Sequence, residues 1–413
     1  MKQDTIVVFD YGSQYTRLIS RRLREINVFC DLVYPEIDKS FFDERNIKGF
    51  ILSGGPNSVF EENSPDLPRW VMESKLPILG ICYGMQLIAI NHQGKVKKTS
   101  KREYGNSILN ILDSSKLFNG IPKKSNVWMS HGDKVIDLPD DFQIVAKTDN
   151  SFCAAFEKDL FYGVQFHPEV DNTDYGKEIL KNFALDICNI SDNWSAKNFI
   201  NKSIENIRKE IGNSKVICGI SGGVDSSITA TLIHKAIGNN LTSIFVDNGL
   251  LRKGESEDVM NFLQKGLGLN IVKVNASENF LYKLRNIIDP EEKRKIIGKE
   301  FINVFEKEAK KIKNVKYLAQ GTLYSDVVES AVIKAGHQAV IKSHHNVGGL
   351  PDKMKLKLIE PLRLHFKDEV REVGYELGIN KEIIERHPFP GPGLAIRIMG
   401  EITEEKLNIL REA

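Results

Sequence analysis

The sequence lacks any apolar run approaching the roughly 20 residues that cross a bilayer. Its opening, MKQDTIVVFDYGSQ, is unbroken in apolar character only over residues 6–9, too short for the apolar part of a secretory leader. Cysteine is scarce and scattered: five residues, an odd number, with no CxxC pair. That pattern predicts neither a disulfide framework nor a structural zinc site, and it suits a reducing cytoplasm. Neither sign of charge predominates, with 57 Lys and Arg against 55 Asp and Glu. The balance gives no electrostatic reason to expect nucleic acid or a membrane surface as partner. Internal repeats and low-complexity tracts are absent as well.

What is present is apolar content of 41% in 413 residues, enough to fill more than one core, so two or three domains are expected. Over the first 190 residues, short apolar strands (5–10, 49–52, 77–81) alternate with helical spacing (13–24, 85–91). The stretch 151–165 reads as two paired strands, SFCAAFE and LFYGVQF. The pattern weakens at ISDNWSAK (190–197), and a second alternating series follows. Its strands fall at 215–220, 242–246, 270–274, 317–319 and 357–360, and its helices at 198–211, 227–237, 256–267 and 367–377. Two open, mostly parallel, doubly wound α/β sheets in tandem are predicted, over residues 1–190 and 191–386. The Lys- and Glu-rich stretch 291–316 reads as a solvated amphipathic helix. After the Pro/Gly cluster at 387–393, a strand-like LAIRIM and a helix from about residue 404 read as the start of a further C-terminal domain, 387–413.

Two places carry chemistry. The first is a strand ending at Cys82, followed at once by a helix, with Gly80 and Gly84 relieving crowding at the sharp turn. The helix N-terminus favours the nucleophilic thiolate. Downstream, GVQFHPE puts His167 just past a strand with Glu169 two residues on, a base and its orienting carboxylate. The loop SGGP (53–56) can supply backbone N–H groups to an oxyanion, together with the N–H of Tyr83. These motifs resemble the class I glutamine amidotransferases. The resemblance implies that Cys82 attacks the side-chain amide of glutamine, with His167 as general base and acid and Glu169 behind it. It also implies a glutamine pocket that includes Gly55, Gln86, Ser130, His131 and Asp133.

The second place is SGGVDSS (221–227), between a strand and a helix. Glycine N–H groups and the helix N-terminus can hold phosphate oxygens, and the hydroxyls of Ser221, Ser226 and Ser227 add donors. Asp225 would repel phosphates unless a cation intervened, and magnesium carried by ATP is the natural one. The lysine that ends the common P-loop, GxxxxGK[ST], is missing. That absence points away from γ-phosphoryl transfer and toward attack at the α-phosphorus with pyrophosphate leaving. SGGVDSS resembles the PP-loop of the N-type ATP pyrophosphatases. On that resemblance Gly222, Gly223 and Val224, with Val246, Gly321 and Lys342, complete the ATP site. Lys342 lies in IKSHHNVGGLP, where His344 and His345 read as loop residues and not as metal ligands.

The PP-loop alone leaves open an NAD synthetase or a tRNA-thiolating enzyme. Thiolating enzymes use cysteines in this domain, which here has only Cys218 inside a strand. Standard NAD synthetases carry a different glutaminase module. A non-catalytic regulator would show a broken triad or PP-loop, and both are intact. With VDNGLLR, DPEEKRKIIGKEF, QGTLYSDVVESA and RHPFPGPG, the full set resembles the family of glutamine-hydrolysing GMP synthetases. It implies glutamine, ATP and XMP as substrates, Mg2+ with ATP, no tightly bound organic cofactor, and a homodimer. XMP would be adenylated at its C2 oxygen and ammonia would displace AMP. Arg252 is implied as a substrate contact, and Asp289, Glu292, Lys293 and Arg294 as part of a closing segment. The family pattern continues into a dimerisation and XMP-binding domain. Only its first strand and a few helical residues are expected here, so a chain retaining glutaminase activity alone is a further alternative.

Overall fold

The computed structural model describes residues 2–43, 45–62, 64–192, 194–326, 356–387 and 391–413, the side chains of 99–102 excepted. It divides into two compact units, Met1–Ser195 and Ala196–Ala413. Among the described residues, no helix is long and apolar enough to cross a membrane.

The first unit runs β1 (Gln3–Phe9), α1 (Thr16–Glu25), β2 (Cys30–Val33), β3 (Arg45–Leu52), α2 (Arg69–Met72), β4 (Ile78–Ile81) and α3 (Tyr83–Asn91). It continues with β5 (Lys95–Ile111), β6 (Lys124–Asp137), β7 (Gln143–Lys147), β8 (Ala155–Lys158), β9 (Phe161–Val164) and α4 (Gly176–Lys181). The strands form one sheet in the order β2-β1-β3-β4-β9-β8-β7-β5-β6. Pairing is parallel from β2 to β9 and antiparallel beyond it. Successive residues of the parallel strands enter opposite cores. Ile6, Val8, Ile51 and Leu79 face one cluster, and Val7, Phe9, Phe50 and Ile78 face the other. Both faces are therefore covered, which is why these strands read as continuous apolar runs.

In the second unit, α5 (Ala196–Ile211) precedes β10 (Lys215–Ile220), α6 (Val224–Ile237), β11 (Leu241–Asp247), α7 (Glu255–Met260), β12 (Ile271–Asn275), α8 (Ser277–Lys283) and α9 (Pro290–Ala309). Then come β13 (Val315–Ala319), β14 (Lys357–Ile359), α10 (Lys367–Glu376), α11 (Lys381–Ile384) and α12 (Glu404–Glu412). The sheet order is β12-β11-β10-β13-β14, with every pair parallel. The order reverses at β10 and β13, the kind of switch point at which open α/β sheets bind ligands beyond their carboxyl ends.

Two expectations are corrected. LAIRIM is not a strand: Gly393–Ile396 forms a 3-10 turn. Its residues Leu394, Ala395 and Ile398 pack into one cluster of the second unit, a spacing that fits a turn and not the period of two of a strand. The helix predicted over 227–237 begins three residues earlier, at Val224. Most of SGGVDSS is thus the first turn of a helix and not loop.

Candidate active sites

Cys82 stands between β4 and α3 with φ +52°, a conformation costly for a residue with a side chain. Neighbouring glycines make the turn possible. A Cβ on Gly80 would lie 2.5 Å from the backbone of Gly84, and one on Gly84 would lie 2.4 Å from Leu52 O. Tyr83 opens the helix, so its N–H has no intrahelical acceptor and is free to receive an oxyanion. Gly55 passes so close to Tyr11 that a Cβ there would sit 2.7 Å from Tyr11 O.

His167 and Glu169 follow β9, the strand paired with β4. His167 Nδ1 lies 2.7 Å from Glu169 Oε1, and both side chains are buried. Burial works against the imidazolium, but the Glu169 carboxylate and the hydrogen bond to Cys82 outweigh it. The pKa of His167 is held well above its ordinary value. A Cβ on Gly54 would fall 2.9 Å from His167 Cε1 and 3.7 Å from Cys82 Cβ, so the SGGP loop closes over the pair.

The predicted pocket residues converge, though chiefly on one another. Gln86 Nε2 donates to Asp133 O at 2.8 Å, and His131 Nδ1 lies 3.1 Å from the same oxygen. Cys82 Sγ lies 3.6 Å from Ser130 O. The buried Gln86 amide is therefore a strut for the pocket wall.

Three contributors had no readable signal. Gln165 Nε2 reaches Cys82 Sγ at 3.6 Å, and Arg22 on α1 donates from Nε to Glu169 O at 3.1 Å. Glu103 approaches His131 Nε2 at 3.2 Å, off the hydrogen-bonding direction. The adjoining His131 ring, with the hydrogen bond that Ser107 Oγ donates at 2.7 Å, holds the Glu103 carboxyl below its usual range.

In the second unit the PP-loop leaves β10 at the switch point. Gly222 has φ +76°, and a Cβ there would meet Val259 Cγ2 at 2.5 Å. The first-turn N–H groups of α6 lack intrahelical acceptors and face outward along the helix axis. Ser221 and Gly223 are exposed. The serine hydroxyls shape the loop: Ser221 Oγ accepts from Gly223 N at 3.3 Å, and Ser226 Oγ donates to Gly223 O at 3.1 Å. Ser227, expected as a phosphate donor, is wholly buried and donates to Gly223 O at 2.8 Å, closing the first turn. Val246 is the last residue but one of β11 and is buried. Gly321, after β13, fits so closely that a Cβ would lie 3.0 Å from the Asp225 backbone.

Lys367 was missed. Its Nζ donates to both oxygens of Asp225, at 2.6 Å each, across 142 residues. A signal existed: it is the first residue of α10, where a cation opposes the helix dipole. Lys342, with the loop around it, lies outside the described residues.

The remaining assignments separate. Arg252 follows β11, with its N–H 2.8 Å from Glu255 Oε2 and its Nε 3.6 Å from the same oxygen. Arg386 Nη2 holds the other Glu255 oxygen at 2.7 Å. Asp289 caps α9 by accepting from Glu292 N at 2.8 Å, and Arg294 pairs with Glu291 at 3.2 Å. Lys293 does not face a substrate: it is wholly buried and donates to Ala395 O, Ile398 O and Gly400 O. Desolvation, with Lys406 nearby, lowers its pKa.

Among the described residues, no three His, Cys, Asp or Glu side chains gather as a metal site. Asp225 is the carboxylate of the loop, and Lys367 holds both its oxygens in this structure; a magnesium ion carried in on phosphate and water ligands would take one of those oxygens in exchange, while the N–H groups of the helix start serve the phosphates and not the metal.

Known proteins match both halves. Residues 7–187 match the family described as glutamine amidotransferase class-I, and residues 196–300 the one described as NAD synthase. The chain is 53% identical over 413 residues to the glutamine-hydrolyzing GMP synthase of Lactobacillus acidophilus, covering 99% of this chain and 80% of that protein. With that of Caldicellulosiruptor saccharolyticus the identity is 55% over 416 residues, covering 100% and 81%. With that of Staphylococcus saprophyticus it is 53% over 414 residues, covering 100% and 80%. Neither NAD synthetases nor thiolating enzymes are needed to account for an end-to-end match of this kind, and the chain belongs to the family of glutamine-hydrolysing GMP synthases.

Proposed function

We propose that this chain makes GMP from XMP in two linked reactions. In the first, Cys82 Sγ attacks the side-chain amide carbon of glutamine while His167 takes the thiol proton. The N–H of Tyr83 and the SGGP backbone at Gly55 receive the oxyanion. His167 returns the proton to the departing nitrogen, ammonia leaves, and a glutamyl thioester remains. Water then attacks with His167 again as base, releasing glutamate.

In the second reaction, the C2 oxygen of XMP attacks the α-phosphorus of ATP and pyrophosphate departs into the PP-loop. Residues 221–226 grip the phosphates through backbone N–H groups, and Lys367 supplies the cation that a common P-loop carries within its own motif. Magnesium brought by the nucleotide would lie against Asp225 and offset phosphate charge. Ammonia displaces AMP from C2 to give GMP. It must arrive unprotonated, which delivery away from bulk water achieves. Arg252 is assigned to the XMP side of this site. A homodimer in the cytoplasm, with no nucleic acid or membrane partner, is the setting this reading expects.

The observation that carries the reading is the strained Cys82 elbow beside the 2.7 Å His167–Glu169 pair, in one chain with a PP-loop. The test is GMP and AMP formation from XMP and ATP, with either glutamine or an ammonium salt. Cys82→Ala is expected to lose only the glutamine-supported reaction, and Asp225→Ala both. A folded Cys82→Ala protein without ammonium-supported turnover would sink the two-site scheme.

A further inference from the structure

Three consecutive carbonyls in the loop after β11 are all taken by one distant stretch of chain. Gly249 O accepts from Arg411 Nη2 at 2.7 Å, Leu250 O from Leu394 N at 2.8 Å, and Leu251 O from Arg411 Nε at 3.3 Å. The approach is close: a Cβ on Gly393, at φ +64°, would sit 2.4 Å from Leu250 O. The loop's own side chains take its N–H groups. Asp247 Oδ1 accepts from Gly249 N at 3.1 Å, and Asn248 Oδ1 from Leu250 N at 2.9 Å. The carbonyls of residues 249–251 and the N–H groups of 249 and 250 are thereby held in one orientation, and the chain leaves it at Arg252.

The stretch that makes these contacts is itself anchored. Lys293, on α9, places a buried ammonium among Ala395 O, Ile398 O and Gly400 O, at the carboxyl end of the turn Gly393–Ile396. Its partners there are carbonyls alone, and the dipole of the turn favours a cation at that end. Lys253 and Glu412 add an exposed ion pair at 2.8 Å, which contributes little by itself.

We propose that residues 393–411 are a brace that sets the nucleotide loop 247–252, and that Arg411 is the positioning residue that transmits it. Arg411 touches no substrate and acts through Gly249 O and Leu251 O. The guanidinium matters because one rigid planar edge, Nε and Nη2, fixes the direction of both carbonyls at once, whereas an exchangeable ammonium on a flexible stem holds them in no fixed orientation at this position. The proposal rests on the reading that this loop faces the nucleotides with Arg252 on the XMP side.

The test uses the 413-residue chain in ammonium-supported GMP formation, with Arg411→Lys, Arg411→Ala, Arg252→Ala and the double variant Arg252→Ala/Arg411→Ala. Losing the two charged hydrogen bonds is expected to raise KM for XMP about 10- to 100-fold, with kcat changing less. Arg411→Lys should recover little of that. If Arg411 works through the residue that the loop carries, the double variant is scarcely worse than Arg252→Ala alone. Additive effects overturn the brace. An Arg252→Ala protein with unchanged KM instead overturns the assignment of Arg252, so the two failures are distinguishable.

Hydrogen exchange supplies a readout that needs no turnover. Amides 248–252 should exchange faster in Arg411→Lys, and in Lys293→Met at the far anchor, while β10 keeps its protection. Unchanged exchange in the loop also refutes the proposal.

Discussion

Replacing Glu169 by Gln tests the charge logic of the thiol site with little change of shape. Glu169 is wholly buried, and its Oε1 lies 2.7 Å from His167 Nδ1. Charge centres about 4 Å apart at an effective dielectric of about 20 attract by about 4 kcal/mol. That attraction is needed when His167 becomes an imidazolium on taking the Cys82 proton. Its loss corresponds to about 10³-fold in rate, within the range of about 10²–10⁴ expected for a general base. The amide adds a second fault. If its NH2 group turns toward Nδ1, it holds the proton on Nε2, and the ring can no longer accept from sulfur.

The assay is glutamate release by the intact chain across pH, with thermal melts at the same pH values. The sign of the stability effect follows from a raised His167 pKa. Its contribution to folding is fully present below the ordinary value of 6.5 and is lost as pH rises through the higher folded value. In Glu169→Gln only the contact with Cys82 still opposes burial, so the His167 pKa falls. The wild-type advantage in Tm should therefore be widest in acid and narrow toward alkaline pH. A variant with wild-type glutaminase and a pH-independent difference in Tm would refute the reasoning.

Two further outcomes are expected. Lys367→Met leaves the Asp225 carboxylate facing phosphates without its 2.6 Å partner, so pyrophosphate release from ATP and XMP should collapse while the melt stays near wild type; a normal rate would show the pair to be incidental. Gly222→Ala combines a φ of +76° with a Cβ 2.5 Å from Val259 Cγ2, which should cost about 1–3 kcal/mol in packing, read by thermal or urea unfolding. Adding Val259→Ala should recover the packing share and leave the backbone share; full recovery would show that φ was not a constraint.

Legibility in the sequence followed the range of the interaction. Strands buried on both faces, such as β1, β4, β10 and β11, announce themselves through apolar runs. The turns after β4 and β10 announce themselves through glycines whose missing Cβ atoms the structure needs. The long β5–β6 hairpin stayed hidden because KVKKTSKREYGNSILNI is polar along most of its length and draws its order from cross-strand pairing. Lys293 misled for a related reason. A lysine in a Lys- and Glu-rich helix reads as solvated, and only a carbonyl cluster more than a hundred residues away makes it a buried strut. Arg22, Gln165 and Lys367 act through partners far along the chain, where spacing carries no information, and Glu255 joins a near partner, Arg252, to a distant one, Arg386.

Both units use a strand, a tight turn and a helix N-terminus, but they place the strained residue differently. In the first, positive φ falls on Cys82 itself, the residue proposed as nucleophile, whose side chain would have to stand clear of the sheet to attack. The cost cannot be relieved by glycine at that position, so it is met by glycine on either side, at Gly80 and Gly84, where the backbone of one turn lies against the next. In the second unit positive φ falls on Gly222, which suits the proposed work of this loop through backbone N–H groups, with no side chain needed at the bend. On that proposal the cation has to come from elsewhere, and Lys367, paired with Asp225, stands at the start of another helix. A residue in the left-handed region at the nucleophile marks a site that attacks. The same region at a glycine before a free helix N-terminus marks a site that grips.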